Sequence, residues 1–142
     1  MAITRLEPLL SHKVFRWASG ASAVLALAVA VLGSLIANPS LRSVHSGLAL
    51  VLLVVSLMAG LSGMRYGKES RTRGLAPLGL GVFAVAVAQY ALGELGQTLV
   101  HIVLGVLLVI GAGVLFVLSL RQPVVVTSSG ASPDPDADRP AR

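Results

Sequence analysis

The sequence predicts an all-α integral membrane protein: an up-down-up-down bundle of four helices, with the N- and C-termini cytoplasmic. Three observations carry this. Of 142 residues, 55% are hydrophobic and only 12% charged, about half the charged fraction of a soluble domain. Four apolar runs of 20 residues or more are separated by short polar connections, and about 20 apolar residues suffice to span hydrocarbon. The Lys and Arg residues collect beside alternate ends of these runs, as topology signals do.

Residues 1–13 read as a cytoplasmic lead-in carrying Arg5, Glu7, Pro8 and His12. The bundle follows over 14–121. Arg16 and Trp17 mark an interface, where a snorkelling cation and an amphipathic ring are favoured. The first helix spans about 16–37, with no charge from Ala18 to Ala37. A cleaved signal peptide is the competing reading. Its apolar region would be too long, and Leu35-Ile36-Ala37 lacks the small-x-small cleavage pattern. Asn38-Pro39-Ser40 then breaks the helix, because proline cannot continue it and Asn and Ser suit a turn.

The second helix spans about 44–64 and leads into a loop holding Arg65, Lys68, Arg71 and Arg73. The third, about 75–95, carries Pro77 in its first turn, where a missing N–H costs little. Gly96 and Gln97 make a very tight turn into the fourth helix, about 98–120. Residues 122–142 are rich in Ser, Pro, Asp and Ala. They cannot bury apolar surface and read as a disordered cytoplasmic tail. Asp134, Asp136 and Asp138 in it read as solvated groups rather than a metal site.

Ten of the eleven basic residues fall on one side of this arrangement, with only Arg42 on the other. The positive-inside rule assigns the rich side to the cytoplasm. The expected location is a bacterial-type plasma membrane, crossed four times. The net charge of +5 is thereby accounted for without nucleic acid. The chain has no cysteine, which excludes disulfides, cysteine-ligated metals and thiol chemistry. Short connections make neighbouring helices antiparallel. Small residues must let the backbones approach: Ala18, Ser22, Ala26 and Ala30 on the first helix, and Gly81, Ala84 and Ala88 on the third.

One phrase occurs twice. Val44-His45-Ser46-Gly47-Leu48-Ala49 opens the second run, and Val100-His101-Ile102-Val103-Leu104-Gly105 opens the fourth. Leu32-Gly33-Ser34-Leu35 precedes the first and Leu92-Gly93-Glu94-Leu95 the second. This reads as an internal repeat of two parallel hairpins. Its geometric consequence is that His45 and His101 lie at similar depth near the outer face, on diagonal helices. Two inward imidazoles so placed can clamp a planar macrocycle, and haem iron accepts such axial nitrogens. Ala49 and Gly105, one turn after each histidine, leave room for the plane. Haem b is the expected cofactor, with its iron held by His45 and His101.

These phrases, with Gln89-Tyr90-Ala91-Leu92-Gly93 between them, resemble one four-helix half of a haem A synthase. That family is built from two such units, each with a histidine opening its second and fourth helices near the outer face. The resemblance covers most of Phe15 to Leu120, and extends equally to small uncharacterised bacterial four-helix membrane proteins with the same two histidines. It implies a haem-binding scaffold, completed by homodimerisation or by a larger membrane complex. The family's cysteine pair has no counterpart, and Leu41 stands where the family carries an acid before the second-helix histidine. The family's oxidation chemistry therefore does not carry over.

Gln89 is the clearest polar residue within the third run. Its candidate roles are an interhelical hydrogen bond and contact with the haem edge. Glu94 is placed to pair with Arg42 on the outer side. Ser19, Ser22, Ser46, Ser56 and Ser62 can bond back to helix carbonyls. No phosphate loop, nucleophile–base pair or carboxylate dyad occurs, so the reading leans away from an enzyme. Three functions are thus in view. The first is a bis-histidine haem b protein for electron transfer or haem handling. The second is a non-enzymatic accessory or structural subunit of a membrane complex. The third is a small proton-coupled transporter resting on Glu94, which sits about one turn from the surface rather than at midplane.

Overall fold

The structure, a computed structural model, describes residues 7–35 and 39–121. These form four helices: α1 (Glu7–Ser34), α2 (Pro39–Glu69), α3 (Leu75–Glu94) and α4 (Thr98–Ser119). All four are long and apolar enough to cross a membrane. At 1.5 Å per residue, the 20 residues of α3 and 22 of α4 match the roughly 30 Å of a hydrocarbon layer. The predicted tail over 122–142, and Asn38 of the first connection, lie outside the described residues.

α1 and α2 are longer, 28 and 31 residues, and outrun the expected bounds. α1 begins within the predicted lead-in, and α2 runs from Pro39 to Glu69 rather than from Val44 to Met64. Hydropathy marks only the lipid-matching stretch of a helix. The extra turns persist because they pack. Phe15 is 0% exposed, faces Gly63 and stacks on Tyr66 at 5.6 Å. Ser11 donates to Glu69. His12 donates its Nε2–H to the Ser119 carbonyl at 3.0 Å and lies 4.8 Å from the Tyr66 ring. His12 therefore ties α1, α2 and α4 together at one end of the bundle.

Each helix packs on two others, in the ring α1–α2–α3–α4–α1, and the diagonal pairs α1–α3 and α2–α4 have no close backbone approach. The inward faces are helical stripes: Leu75, Gly79, Val82 and Ala86 on α3, and Leu108, Ala112, Leu115 and Ser119 on α4. Both step by four, three and four residues, the period that keeps one face inward. Ala26, Val29, Leu52, Val82, Ala86, Leu108 and Ala112 form one core cluster. Phe15, Ala59, Tyr66, Leu75 and Leu115 form the second.

The inside is small and partly hydroxylic, whereas the outside is large and apolar. Ser19, Ser22, Ser56 and Ser119 are 0% exposed, while Val24, Val54 and Ile110 are 57–70% exposed. This inverts the pattern of a soluble bundle and suits a lipid surround, where close packing rather than water exclusion joins helices. Ser19, Ser56 and Ser62 bond back to carbonyls of their own helices. Ser22 Oγ is buried without a partner.

The small residues expected on α1 mostly face inward: Ser22 and Ala26 are buried, Ala18 is half-buried, and Ala30 is exposed and lines a cavity. On α3 the expected face is wrong. Gly81 and Ala84 are exposed, and nothing lies within 4 Å of a Cβ added at Gly81. The α2–α3 contact is made instead by Gly60 and Gly79, where a Cβ on Gly79 would come 2.9 Å from Gly60 Cα. Both helices carry several small residues, and only the crossing decides which pair meets. Gly79→Leu is expected to destabilise the protein by about 1–3 kcal/mol, the range for overpacking. Gly81→Leu should change stability by less than about 0.5 kcal/mol. Chemical denaturation in detergent micelles checks both.

The expected tight turn between α3 and α4 forms around Gly96, at φ +70°. Gln97 N–H bonds the Leu92 carbonyl at 3.0 Å and Gly96 N–H the Gly93 carbonyl at 3.2 Å. This is the paired capping of a Schellman motif, which needs a left-handed residue where glycine carries no Cβ penalty.

Candidate functional site

Two equivalent hydrogen bonds build the site. His45, in the second turn of α2, donates Nδ1–H to the Val29 carbonyl of α1 at 3.0 Å. His101, in the first turn of α4, donates Nδ1–H to the Gln89 carbonyl of α3 at 2.9 Å. A carbonyl can only accept, so both rings carry a proton on Nδ1, and a neutral ring then keeps its lone pair on Nε2. A backbone acceptor on one ring nitrogen is the common means of orienting a histidine that ligates metal through the other.

Each ring also lies against a glycine one turn beyond its acceptor. A Cβ on Gly33 would come 3.1 Å from His45 Cε1, and one on Gly93 would come 2.9 Å from His101 Cε1. Val29 and Gly33 are four residues apart on α1, as are Gln89 and Gly93 on α3, so acceptor and glycine share a helix face. The arrangement therefore repeats between the two hairpins in acceptor, glycine and ring.

The two rings meet across the bundle although their helices do not. Their centroids are 6.2 Å apart with planes at 59°. Both line a cavity of about 740 Å³, within the roughly 300–1,000 Å³ range of small-molecule and cofactor sites. All four helices contribute to its wall. Among the described residues there is no group of three or more His, Cys, Asp or Glu that could hold a metal ion. A metal bound only by protein, as in a tetrahedral zinc site, is therefore not built here. Two imidazoles suit a metal whose other positions are filled by a macrocycle.

The remaining predicted residues line the same cavity. Ala49 does so half-buried. Gly105 also lines it, but a Cβ there would come 2.8 Å from Gln89 Nε2. The room at Gly105 is thus occupied by the Gln89 amide. Gln89 Oε1 is buried without a hydrogen-bond partner, a state that costs about 1–3 kcal/mol. The side chain makes no interhelical hydrogen bond through this oxygen; the interhelical bond at this residue runs through its backbone carbonyl.

Arg42 and Glu94 stand at the cavity mouth, both exposed. The expected pairing between them is not made: among the described residues the one ion pair is Arg65–Glu69, at 3.6 Å. The roles of the Gly33 and Gly93 faces and of the Val29 carbonyl were not legible as such. The twice-occurring Leu-Gly-x-Leu before each histidine was the available signal for the glycines. Comparison of the chain with family models, curated proteins and solved structures gives no match.

Proposed function

We propose that the chain is a four-span membrane protein that holds haem b between His45 and His101, for electron transfer or haem handling. The observation that carries this is the matched pair of Nδ1–H bonds to backbone carbonyls. It leaves two Nε2 lone pairs on rings whose centroids are 6.2 Å apart. One metal ion about 2.0 Å from a nitrogen of each of two opposed imidazoles requires centroids roughly 6.3 Å apart. The volume and the mostly apolar wall also fit a large, mostly apolar ligand.

In this reading His45 and His101 would hold the haem iron. The Val29 and Gln89 carbonyls hold their tautomers, and Gly33 and Gly93 set how far each ring leans toward its partner. Ala49 lets a flat ligand approach α2, and Gln89 lines the space beside it. Haem supplies a one-electron iron couple. Because the chain would offer two imidazoles to the iron, electron transfer or haem handling is favoured over chemistry on a molecule bound there.

The spans alternate in direction in this proposal. The start of α1 contacts the ends of α2 and α4 through Phe15 and His12, and its later part contacts the start of α2 through Val29 and His45. The bias of basic residues to the end opposite the histidines supports cytoplasmic termini. The equivalent hairpins support an internal repeat and the resemblance to half of a haem A synthase. A second reading, an accessory subunit, is favoured by Gly81 and Ala84, small residues facing outward on α3. Oxidised and reduced absorption spectra of the purified protein test the haem reading. One haem per chain with a Soret band is expected. A protein isolated without a Soret band, which on titration leaves the band of free haemin unshifted, overturns it.

A further inference from the structure

Two nearly equivalent hairpins present two nearly equivalent histidines, so the clamp itself does not tell a flat ligand which way round to sit. The mouth of the cavity breaks that symmetry. Arg42 lines it from α2, three residues before His45; the residue three before His101 on α4 is Thr98. Glu94 lines it from α3, directly after Gly93; the residue after Gly33 on α1 is Ser34. Positive charge therefore belongs to the first hairpin and negative charge to the second.

Among the described residues neither side chain has an ion-pair partner. Among the described residues Arg42 is also the one Lys or Arg at the histidine end. Every other described Lys or Arg lies toward the opposite end, at the start of α1, in the last turns of α2 and the loop after it, or just after α4. A lone cation on this side runs against the charge bias that orients the spans, so topology gives no reason for it. A guanidinium on the face of α2 that carries His45 can hold a carboxylate in a two-pronged hydrogen-bonded pair.

We propose that this mouth recognises the carboxylate edge of the planar ligand, with Arg42 attracting it and Glu94 repelling it, so that the ligand enters in one orientation. The inference rests on the haem reading and adds the acidic edge as the group that the protein selects. The ligand chemistry it names is a metalloporphyrin bearing carboxylates along one side. Its apolar side goes inward toward Ala26, Leu52, Ala86 and Leu108, and its acidic side stays at the mouth.

The test is titration of the purified full-length protein in detergent with iron protoporphyrin and with its dimethyl ester, read at the Soret band. Wild type should bind the diacid about two- to fivefold more tightly, the range open to a partly exposed charge pair, and added salt should narrow the gap. Arg42→Gln should reverse the preference, because the repulsion by Glu94 remains, and Arg42→Lys should retain part of it. Glu94→Gln should tighten binding of the diacid and leave the diester unchanged. Equal affinity of wild type for both porphyrins, with the Soret band of each shifted on binding, overturns this inference alone and needs no variant to fold. A Soret band left unshifted from that of the free compound with both porphyrins overturns the haem reading and this inference with it.

Discussion

The His45→Ala, His101→Ala double variant is expected to purify as a folded four-helix protein with no Soret band. Each substitution removes one imidazole nitrogen, and the two together leave the cavity without a histidine. Losing even the group that orients a metal-binding histidine commonly weakens binding about 10–100-fold, so losing the ligand itself should exceed that. Either single variant should keep one ligand, bind more weakly and show a high-spin spectrum. Folding is a separate matter. His45 is only 9% exposed, and its removal opens space beside Gly33, so circular dichroism and size exclusion must accompany the spectrum. His12→Ala is the control: it cuts the bond to Ser119 at the other end of the bundle and should leave the Soret band in place. A double variant fully loaded with haem sinks the proposed function.

Gly33→Ala and Gly93→Ala should disturb the spectrum while sparing the helices. The added methyl on Gly93 would lie 2.9 Å from His101 Cε1 and 3.1 Å from its Nδ1, and that on Gly33 3.1 Å from His45 Cε1. Neither ring can swing away freely, because its Nδ1–H is held by a carbonyl one turn earlier on the same neighbouring helix. Alanine is a better helix former than glycine by roughly 0.5–1 kcal/mol, so the helix containing the substitution should not weaken. The expected result is haem affinity lowered about 10–100-fold, as for other orienting groups, and a loss of low-spin character. Gly93→Ala should have the larger effect, since its contact is the closer. If both variants keep the wild-type spectrum and affinity, the glycines do not position the rings.

His45 and His101 were legible because a rare residue type recurred at the same place in two apolar runs. Gly96 was legible because a tight turn between helices needs a left-handed residue. The turn at Pro39 was legible in part: it does separate two helices, but it begins α2 rather than preceding it, as proline is tolerated in a first turn. The inward face of α3 was not legible. Gly79, Gly81, Ala84, Ala86 and Ala88 are all small, and hydropathy cannot choose a face when every face is apolar. In water a polar face would settle that question; in lipid both faces are apolar, and the choice passes to packing.

Gln89 shows the same limit at the site. A polar residue inside an apolar run marked it for attention. That its carbonyl would orient His101 while its amide filled the room at Gly105 depends on the α3–α4 crossing. The pairing expected between Arg42 and Glu94 failed for a related reason. Opposite charges at one end of a bundle invite a bond, but whether two side chains on different helices reach each other depends on where those helices stand.

By itself the sequence determined the number of helices, their fitness for a membrane and the two histidines worth following. Each of these rests on composition, length or recurrence along the chain, which need no third dimension. Only the tertiary structure decided that the two rings meet at 6.2 Å, that backbone carbonyls dictate their tautomers, and that glycines rather than Ala49 and Gly105 alone shape the space around them. The physical reason is that these are contacts between helices. A contact depends on crossing angle and register, which in an almost wholly apolar chain are set by close packing and leave little trace in the hydrophobic pattern.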